Sequence, residues 1–329
     1  MTKSAILILA HKAPQQLARL VSRLQCDYFD IFIHVDSKSD INPFHEAITE
    51  HNVIWIEKRI NTRLMNFSLI DATMSLIESA LSHGIYSYFI LLTGQDYPIK
   101  SNLYIQTFLE RNYPMDFIDM YSVEEAPKKG IKWVDHLGRY YFSQRLRDVL
   151  SRLVGVKFFY SNQGKFVRAL AFIYDRIMTF LLYQPRKAIA KTPYTYSAGS
   201  HFWMLTESSV KLLLDIYNQD NHLKQIFRHV NVPEESYCQT VLSVKENLIL
   251  PNEYHQILSP ENHMDNPAMR LIKWYEDGRP ILYHPAIWRK KDIKFIMEAK
   301  ALFARKFDNA VDDDVMDEID RCITESHND

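Results

Sequence analysis

Few glycines and few cysteines occur in this chain, and each scarcity excludes a class of protein. With 8 Gly in 329 residues, the sequence is neither low-complexity nor fibrous. Its three cysteines, Cys26, Cys238 and Cys322, form an odd and widely separated set. Such a set argues against a disulfide framework, fits a reducing compartment and lacks the spacing typical of a metal site.

A long apolar run is also missing. The first run, residues 5–10, is too short for the core of a signal peptide with a cleavage site, and His11 and Lys12 follow it at once. No stretch approaches the roughly 20 apolar residues that a membrane span requires. We therefore predict a cytoplasmic protein whose membrane contact, if it has any, is peripheral and at the inner face.

Neither sign of charge is in excess. The chain has 39 Lys and Arg against 40 Asp and Glu, which argues against a general nucleic-acid binder. Because 47% of its residues are hydrophobic, the chain can bury a large core. We predict a single domain over residues 1–308, followed by an acidic C-terminal helix or tail over residues 309–329.

Strand and helix patterns alternate in the first third of the chain. Apolar runs predict strands at residues 5–10, 30–35, 53–56 and 86–92, and helical spacing predicts helices at 14–24 and 68–81. The second helix opens on Ser68 with Asp71 three residues later, which predicts an N-cap. The alternation predicts an α/β fold with a Rossmann-type, mostly parallel central sheet flanked by helices. Ligands of such sheets bind beyond the carboxyl ends of the strands, here at His11, Asp36 and residues 94–96.

The middle of the chain, residues 139–191, is basic and aromatic. It contains eleven Lys or Arg but only two acids, Asp148 and Asp175, and apolar residues recur at helical spacing over residues 165–182. We predict an inserted helical segment with three open interpretations: a solvated helix face over a core stripe, a site for acidic saccharides, or contact with an anionic membrane that presents a lipid-linked acceptor. No nucleic-acid-binding motif accompanies the charge.

Eight short motifs follow one another along the chain. They are LAHK at 9–12, IHVDSK at 33–38, FSLIDA at 67–72, LTGQDYPIKS at 92–101, GSHFW at 199–203, PEE at 233–235, RLIKW at 270–274 and LFARKFD at 302–308. In this order they resemble the core-2/I-branching β-1,6-N-acetylglucosaminyltransferase family, and among its members the short bacterial ones. The resemblance implies a GT-A-like fold, a UDP-sugar donor, inversion at the anomeric carbon and no metal requirement. The family's donors include UDP-GlcNAc, UDP-xylose and UDP-glucuronic acid.

The same resemblance implies roles for two residues. Glu235 matches the family's general base, with Glu234 as its rival and a solvent-facing acid in a first helical turn as the alternative. Lys306 matches the lysine that stabilises the departing diphosphate. The family's second cation, an upstream arginine, falls on Tyr283 by an ungapped count, so Arg270, Arg289 and Lys290 are candidate substitutes.

Further site residues follow from the strand ends and the aromatic residues. We expect His11 and Asp36 to contact the donor nucleotide, although a structural histidine and a turn aspartate are the alternatives. We expect Gln95 and Asp96 to bind sugar hydroxyls of the acceptor, with a tight turn as the alternative. Two tryptophans are candidates for stacking on an acceptor sugar or, alternatively, for the core: Trp203 and Trp274.

A metal site has only a weak sequence candidate. Asp312 to Asp314 match the Asp-x-Asp string of metal-dependent GT-A enzymes, but they lie beyond the last motif and not after a strand. We interpret them as a solvated face and expect no metal and no cofactor. The sequence thus predicts an inverting, metal-independent glycosyltransferase for a bacterial surface polysaccharide or glycolipid. A metal-dependent GT-A transferase and a non-catalytic carbohydrate- or membrane-binding protein of the same fold are the alternatives.

Overall fold

The computed structural model describes residues 2–325, apart from residues 51, 130, 156–157, 160, 246–265, 277–278 and 282–284. Its strands are β1 Ser4–Ala10, β2 Phe29–Val35, β3 Val53–Trp55, β4 Tyr88–Thr93, β5 Asp96–Pro98, β6 Phe117–Ile118, β7 Tyr121–Ser122, β8 Ser197–Ala198, β9 Trp203–Thr206, β10 Arg270–Ile272, β11 Tyr275–Glu276, β12 Arg279–Pro280 and β13 Phe303–Arg305. Its helices are α1 Pro14–Leu24, α2 Asn42–Ala47, α3 Ser68–His83, α4 Asn102–Asn112, α5 Gln144–Val154, α6 Lys165–Leu181, α7 Pro185–Ile189, α8 Glu207–Gln219, α9 Asn221–Phe227, α10 Tyr237–Leu242, α11 Ile293–Glu298 and α12 Asp314–Glu325. Single 3-10 turns lie at Ala126–Lys129, Lys132–His136, Pro233–Glu235 and Lys290–Asp292.

A six-stranded sheet in the order β3-β2-β1-β4-β9-β6 forms the centre of the molecule. The strands β3, β2, β1 and β4 are parallel, whereas β9 runs antiparallel to both of its neighbours. Every residue of β1 is buried, as its unbroken apolar run predicts for a strand covered on both faces. The predicted α/β class with a mostly parallel central sheet is confirmed, and the architecture is GT-A-like.

Helices cover the two faces of this sheet and create two hydrophobic clusters. Ile6 and Ile8 of β1 belong to a cluster with the apolar side of α1, whereas Leu7 and Leu9 belong to a cluster with α3. The alternation follows from the strand geometry, since successive side chains point to opposite faces. Layers on both sides leave the carboxyl ends of the parallel strands as the open edge.

A second, smaller sheet brings the end of the chain to that edge. Its order is β10-β13-β5, with β10 parallel and β5 antiparallel to β13. In this register Arg305 lies opposite Asp96, although more than two hundred residues separate them in the sequence. The motif at 302–308 is therefore fixed beside the end of β4.

The N-cap predicted for α3 is wrong in detail. The helix begins at Ser68 as predicted, but Phe67 occupies the cap position and its side chain makes no capping hydrogen bond. The Ser68 hydroxyl instead accepts a hydrogen bond from the backbone N–H of Arg63 at 3.0 Å. Asn66 supplies the local cap, because its side-chain oxygen accepts from the Ser68 N–H at 3.0 Å.

The acidic C-terminal segment forms the predicted helix, α12, but this helix is not simply solvated. Val315, Met316 and Ile319 are buried in the cluster that contains α1. On its polar side, Asp320 forms ion pairs with Arg19 and Arg23 of α1. The helix thus packs on the core, and the domain boundary at residue 308 stays a prediction.

The basic middle segment contains the predicted helix, α6, in an unexpected orientation. Its large apolar residues are exposed, Phe166 by 74% and Phe180 by 89%, whereas Ala171 and Asp175 are buried. The interpretation of this stripe as core is therefore wrong, because α6 turns its small and polar residues inward. Within the described residues, no helix combines the length and hydropathy needed to cross a membrane.

Candidate active site

A cavity of about 150 Å³ lies at the carboxyl ends of the parallel strands. Residues from several segments line it, among them His11, His34, Gly94, Gln95, His201 and Arg305. The first four follow or end β1, β2 and β4, so the strand ends that the sequence indicated meet at one place. The other two come from segments far away in the chain.

The histidines of the cavity are held in the neutral form. Burial lowers the pKa of His11, and the neighbouring charge of Lys12 lowers it further. Burial also lowers the pKa of His34, whose Nε2 accepts a hydrogen bond from the backbone N–H of Ile60 at 2.8 Å. His201 is partly buried, burial lowers its pKa to about 4, and its Nε2 is a buried atom with no partner among the described residues. Neutral rings offer the cavity hydrogen-bonding groups without adding charge.

Asp36 lies behind this cavity and is already hydrogen-bonded by the protein. Its carboxylate accepts from the backbone N–H of Lys38 at 2.9 Å and from the hydroxyl of Thr62, and the Lys38 ammonium lies 3.3 Å away. Burial alone would raise the pKa of Asp36, but these contacts outweigh it and the pKa is lowered. Asp36 therefore organises the turn after β2 as a charged group, and its contact with a nucleotide stays a prediction.

Positive charge collects on one side of the cavity. Lys12 and Arg305 line it, whereas Lys306 does not. The pKa of Lys306 is lowered by burial and by the charges of Arg305 and Lys12. Lys12 forms an ion pair with Asp308 at 2.9 Å, and Arg305 lies 3.8 Å from the carboxylate of Asp96. Two carboxylates therefore share three cations, which leaves net positive charge for an anionic ligand.

Gln95 and Asp96 differ in what they present to the cavity. Gln95 lines it, while its amide Nε2 donates to the carbonyl of Phe307 at 3.3 Å. The Asp96 side chain is buried and accepts from the hydroxyl of Thr93 at 2.9 Å. Asp96 thus holds a tight turn and faces Arg305, the alternative that the sequence left open.

A buried glutamine connects the segment after β4 to the segment after β13. Gln16 of α1 donates to the carbonyl of Gly94 at 3.0 Å and to the carbonyl of Phe307 at 3.1 Å. The N–H of Phe307 in turn donates to the carbonyl of Gln95 at 3.0 Å. These bonds hold the cationic motif against the end of β4.

The candidates for the second cation lie in different environments. Arg270 is fully buried, donates to the carbonyl of Leu91 at 2.7 Å and packs over the ring of Phe303. Burial lowers its pKa to about 10. Arg289 is exposed and does not line the cavity, although its neighbour Trp288 hydrogen-bonds the carbonyl of Arg305. Tyr283 lies outside the described residues.

The two candidate tryptophans have different degrees of burial. Trp203 on β9 is fully buried in the core, which agrees with its alternative interpretation. Trp274 is partly buried and packs against a small cluster that contains Phe202, a residue of the cavity wall. Trp274 is therefore the candidate of the two that remains open for stacking on a sugar.

Three carboxyl groups lie together next to this region. Glu235 ends the 3-10 turn Pro233–Glu235, and its carbonyl accepts from the N–H of Gly199 at 2.9 Å. Asp119 follows β6 and accepts from the N–H of Ser200 at 2.9 Å. Gly199 is required here, because a Cβ at this position would lie 1.7 Å from the carbonyl oxygen of Asp119.

The two neighbouring glutamates are not equivalent. Glu234 is buried, and its carboxylate accepts from the backbone N–H of Met65 at 2.9 Å. No hydrogen bond from the described residues reaches the carboxylate of Glu235, which is only partly buried. Glu234 is thus engaged in holding the loop before α3, whereas Glu235 is available to a ligand.

The environment of Glu235 favours its protonated form. Burial raises its pKa to about 8, with contributions from the negative charges of Glu234 and Asp119. Burial also raises the pKa of Asp119 and of Glu234. A carboxylate with a pKa near the working pH is well suited to accept a proton during a reaction.

One short loop connects the carboxyl groups to the cavity. Gly199 and Ser200 hold Glu235 and Asp119, and the next two residues, His201 and Phe202, line the cavity itself. The arrangement links carboxyl groups, which can accept a proton, through one loop to a cavity lined by the cations Lys12 and Arg305. Such a pair suits the transfer of a group that leaves as an anion.

Five of these residues had not been predicted as site residues: Lys12, His34, Asp119, His201 and Arg305. Arg305 directly precedes Lys306, and Lys12, His34 and His201 lie inside recognised motifs, so the sequence did contain a signal for them. The sequence contained no such signal for Asp119, because its role depends on the close approach of Gly199.

The acidic string at the C terminus is used structurally. Asp312 accepts from the backbone N–H of Lys290 at 3.0 Å and from that of Val315 at 3.0 Å. Among the described residues, no cluster of three or more His, Cys, Asp or Glu has the arrangement needed to hold a metal ion.

Comparison with known families identifies the chain. A family model described as Core-2/I-Branching enzyme matches residues 5–297. The chain belongs to this family. The match includes Glu235 and the strand-end motifs, and the family is one of glycosyltransferases.

Other comparisons add little to the family assignment. No curated protein matches the chain. Among solved structures, HddC from Yersinia pseudotuberculosis is similar at 18% identity over 36% of this chain, with a TM-score of 0.23. The chain spans 60% of HddC.

The raised pKa of Glu235 predicts a measurable effect on stability. An acid whose pKa is higher in the folded state binds more protons there, so this group destabilises the fold increasingly as pH rises from about 4.5 towards 8. We expect Glu235→Gln to unfold at a higher temperature than the wild type at pH 8, by a few degrees, since about 1 kcal/mol shifts Tm by roughly 2–4 °C. At pH 5 most of this gain should vanish.

The measurement is thermal unfolding at both pH values. Glu46→Gln is a matched control, because Glu46 is exposed on α2. A gain for Glu235→Gln that is equal at pH 5 and pH 8 would contradict the assigned environment.

Proposed function

We propose that this family member is an inverting, metal-independent glycosyltransferase with Glu235 as general base. It moves a sugar from a UDP-sugar, with GlcNAc, xylose or glucuronic acid as candidate sugars, to a hydroxyl of a saccharide or a lipid-linked saccharide. Its setting is the cytoplasm of a bacterium that builds a surface polysaccharide or glycolipid. The observation that supports the proposal best is the carboxylate of Glu235, which accepts no hydrogen bond from the described residues and is linked by residues 199–202 to a cavity lined by Lys12 and Arg305.

The reaction is a single in-line displacement. Glu235 removes the proton from an acceptor hydroxyl, and that oxygen forms a bond to the anomeric carbon of the sugar. The bond from this carbon to the diphosphate oxygen breaks at the same time, and its electron pair leaves with UDP. Attack from the side opposite the leaving group inverts the anomeric centre, so an α-linked donor gives a β-linked product.

One feature of the carboxyl cluster favours Glu235 over Glu234 as the base, and a second suits Glu235 to that role. The carboxylate of Glu234 is engaged with the N–H of Met65, whereas that of Glu235 has no such bond within the described part of the chain. The charges of Glu234 and Asp119 raise the pKa of Glu235 further than burial alone would. A proton acceptor tuned towards neutral pH releases its proton readily after the transfer.

The cationic motif supports departure of the diphosphate. Lys306, Arg305 and Lys12 lie within electrostatic reach of one another, and only part of their charge is balanced by Asp96 and Asp308. We propose Lys306 as the first diphosphate ligand and Arg305, which lines the cavity, as the second. Arg305 would then take the place of the family's upstream arginine.

A metal-dependent transferase of the same fold is the second candidate among enzymes, and a non-catalytic binding protein is the candidate outside them. The cationic motif favours the first proposal, because side chains can supply the charge that a divalent ion supplies elsewhere. We expect turnover of the UDP-sugar to be unchanged by EDTA. Activity that EDTA abolishes and Mn²⁺ restores would transfer the assignment to the metal-dependent class.

We expect Glu235→Gln to lower turnover by about 10²–10⁴-fold while leaving the affinity for UDP nearly unchanged, since general base catalysis contributes that much. Glu234→Gln is the matched control, because the amide oxygen of glutamine can still accept the bond from Met65. Single-turnover kinetics and calorimetry with UDP measure the two quantities. If Glu234→Gln shows the large loss and Glu235→Gln does not, the base is Glu234.

We expect Lys306→Ala to weaken UDP binding and to lower turnover together, because it removes charge beside the diphosphate. Uridine, which has no phosphate, should bind both proteins alike. Lys294→Ala is the control, since the Lys294 side chain is 87% exposed on α11. A dissociation constant for UDP that is unaffected by Lys306→Ala would remove Lys306 from the site.

A further inference from the structure

The outward side of α6 is an unusual surface. Its large apolar residues recur along one stripe and are all exposed to solvent: Phe166, Leu170, Ile173, Ile177, Phe180 and Leu181, here called the α6 face. Large apolar patches are rare on proteins that act alone in water, and they mark sites of contact. Leu153 of the neighbouring α5 extends the patch, with 76% of its side chain exposed.

Buried polar contacts fix the rotation of α6. Asp175, on the inward side, forms an ion pair with Arg147 of α5 at 2.6 Å and accepts from the N–H of Ser143 at 3.0 Å. One turn later, the hydroxyl of Thr179 accepts from the N–H of Tyr141 at 2.8 Å. Turning the apolar stripe inward would leave these polar groups unpaired, so the outward orientation is built into the fold.

Basic residues surround the α6 face. Exposed cations lie on α5, α6 and the segment after them: Arg145, Arg152, Lys165, Arg176, Lys187 and Lys191. The two acids of the segment are each paired with an arginine, Asp148 with Arg63 and Asp175 with Arg147. Their negative charge is therefore compensated, and the surface around the stripe is positive.

A wide groove continues this surface at the end of α6. Its volume is about 840 Å³, and Arg176, Phe180, Lys187 and Lys191 contribute to its wall. Arg176 also lies over the ring of Tyr140, with its guanidinium carbon 4.5 Å from the ring centroid. Cations and aromatic rings thus meet at the rim of the apolar stripe, which is the composition of proteins that lie on the headgroup region of a bilayer.

We propose that the α6 face docks on the surface of an anionic membrane. The apolar side chains enter the boundary between headgroups and acyl chains, and the surrounding lysines and arginines contact lipid phosphates. A second copy of the chain is the less favourable occupant, because a symmetric contact would bring the same cations against each other. The inference goes beyond the proposed transfer reaction and does not depend on it.

The test is flotation of the protein with lipid vesicles. Vesicles of phosphatidylglycerol and phosphatidylcholine should carry the protein upward, whereas vesicles of phosphatidylcholine alone should carry far less. Binding should weaken as salt rises, because the Debye length falls to about 8 Å at physiological ionic strength. Equal binding to both kinds of vesicle, or binding to neither, would overturn the proposal.

Substitutions separate the contribution of the apolar side chains to membrane binding from that of the basic side chains. The triple variant Ile173→Gln, Ile177→Gln and Phe180→Gln should lose at least about tenfold in partitioning to anionic vesicles, since it removes three inserting side chains. The control variant Ile85→Gln with Leu103→Gln changes exposed apolar residues away from α6 and should bind like the wild type. A control that loses binding as strongly as the triple variant would contradict the assigned surface.

A charge variant completes the test. Lys165→Gln, Lys187→Gln and Lys191→Gln together should lower partitioning at least about tenfold, because each lysine near an anionic surface contributes about 1 kcal/mol. Lys58→Gln, Lys211→Gln and Lys294→Gln, which remove three exposed lysines elsewhere, are the control. Arg168 and Arg186 are left intact, since they donate to the backbone carbonyls of Ser161 and Leu137.

The mass of the protein in solution tests whether a second copy of the chain, and not a membrane, covers the α6 face. Sedimentation equilibrium should give a monomer for the wild type and for the triple variant. A dimer that the triple variant converts to a monomer would assign the α6 face to a second copy and would overturn the membrane proposal. Neither result bears on transfer to a soluble acceptor, so failure of docking and failure of the proposed reaction are separable.

Discussion

The antiparallel pairing of β13 with β5 determines where the positive charge of the site lies. It sets Arg305 opposite Asp96, and the adjoining hydrogen bonds of Gln16 and Phe307 fix the same segment to residues 94–95. Cations within reach of each other repel, and an unconstrained segment would separate them. Because the backbone ladder and the buried amide hold the segment, the charge stays concentrated before any ligand arrives.

A similar constraint acts on the negative side of the site. Glu235 and Asp119 are held near each other by one loop, whose Gly199 and Ser200 donate to both segments. Val232, just before this turn, has a φ of 55°, which is strained for a β-branched residue. Like charges and backbone strain both oppose stability, and a fold tolerates them where the surrounding contacts over-determine the conformation. The arrangement holds Glu235, the proposed base, in position although it lowers the stability of the fold.

The sequence predicted what depends on local pattern and ordered motifs. Continuous apolar residues predicted β1, helical spacing predicted α1 with its observed bounds, and motif order led to the family. Long-range geometry was the part that it could not supply. Asp119 becomes part of the site only because the Gly199 backbone reaches its carbonyl. Ser68 does not cap α3, because the helix includes it and Phe67 occupies the cap position.

The orientation of α6 also depends on contacts that the sequence pattern did not reveal. Its spacing predicted a stripe, but a stripe of apolar residues fits a core and an exposed face equally well. What decides between them is the pairing of Asp175 with Arg147 and of Thr179 with the Tyr141 backbone, both made within the basic segment. A buried charge without its partner is costlier than an exposed apolar side chain, so the polar contacts determine the rotation of the helix. The apolar surface of α6 then remains exposed to water, and a lipid bilayer can cover it.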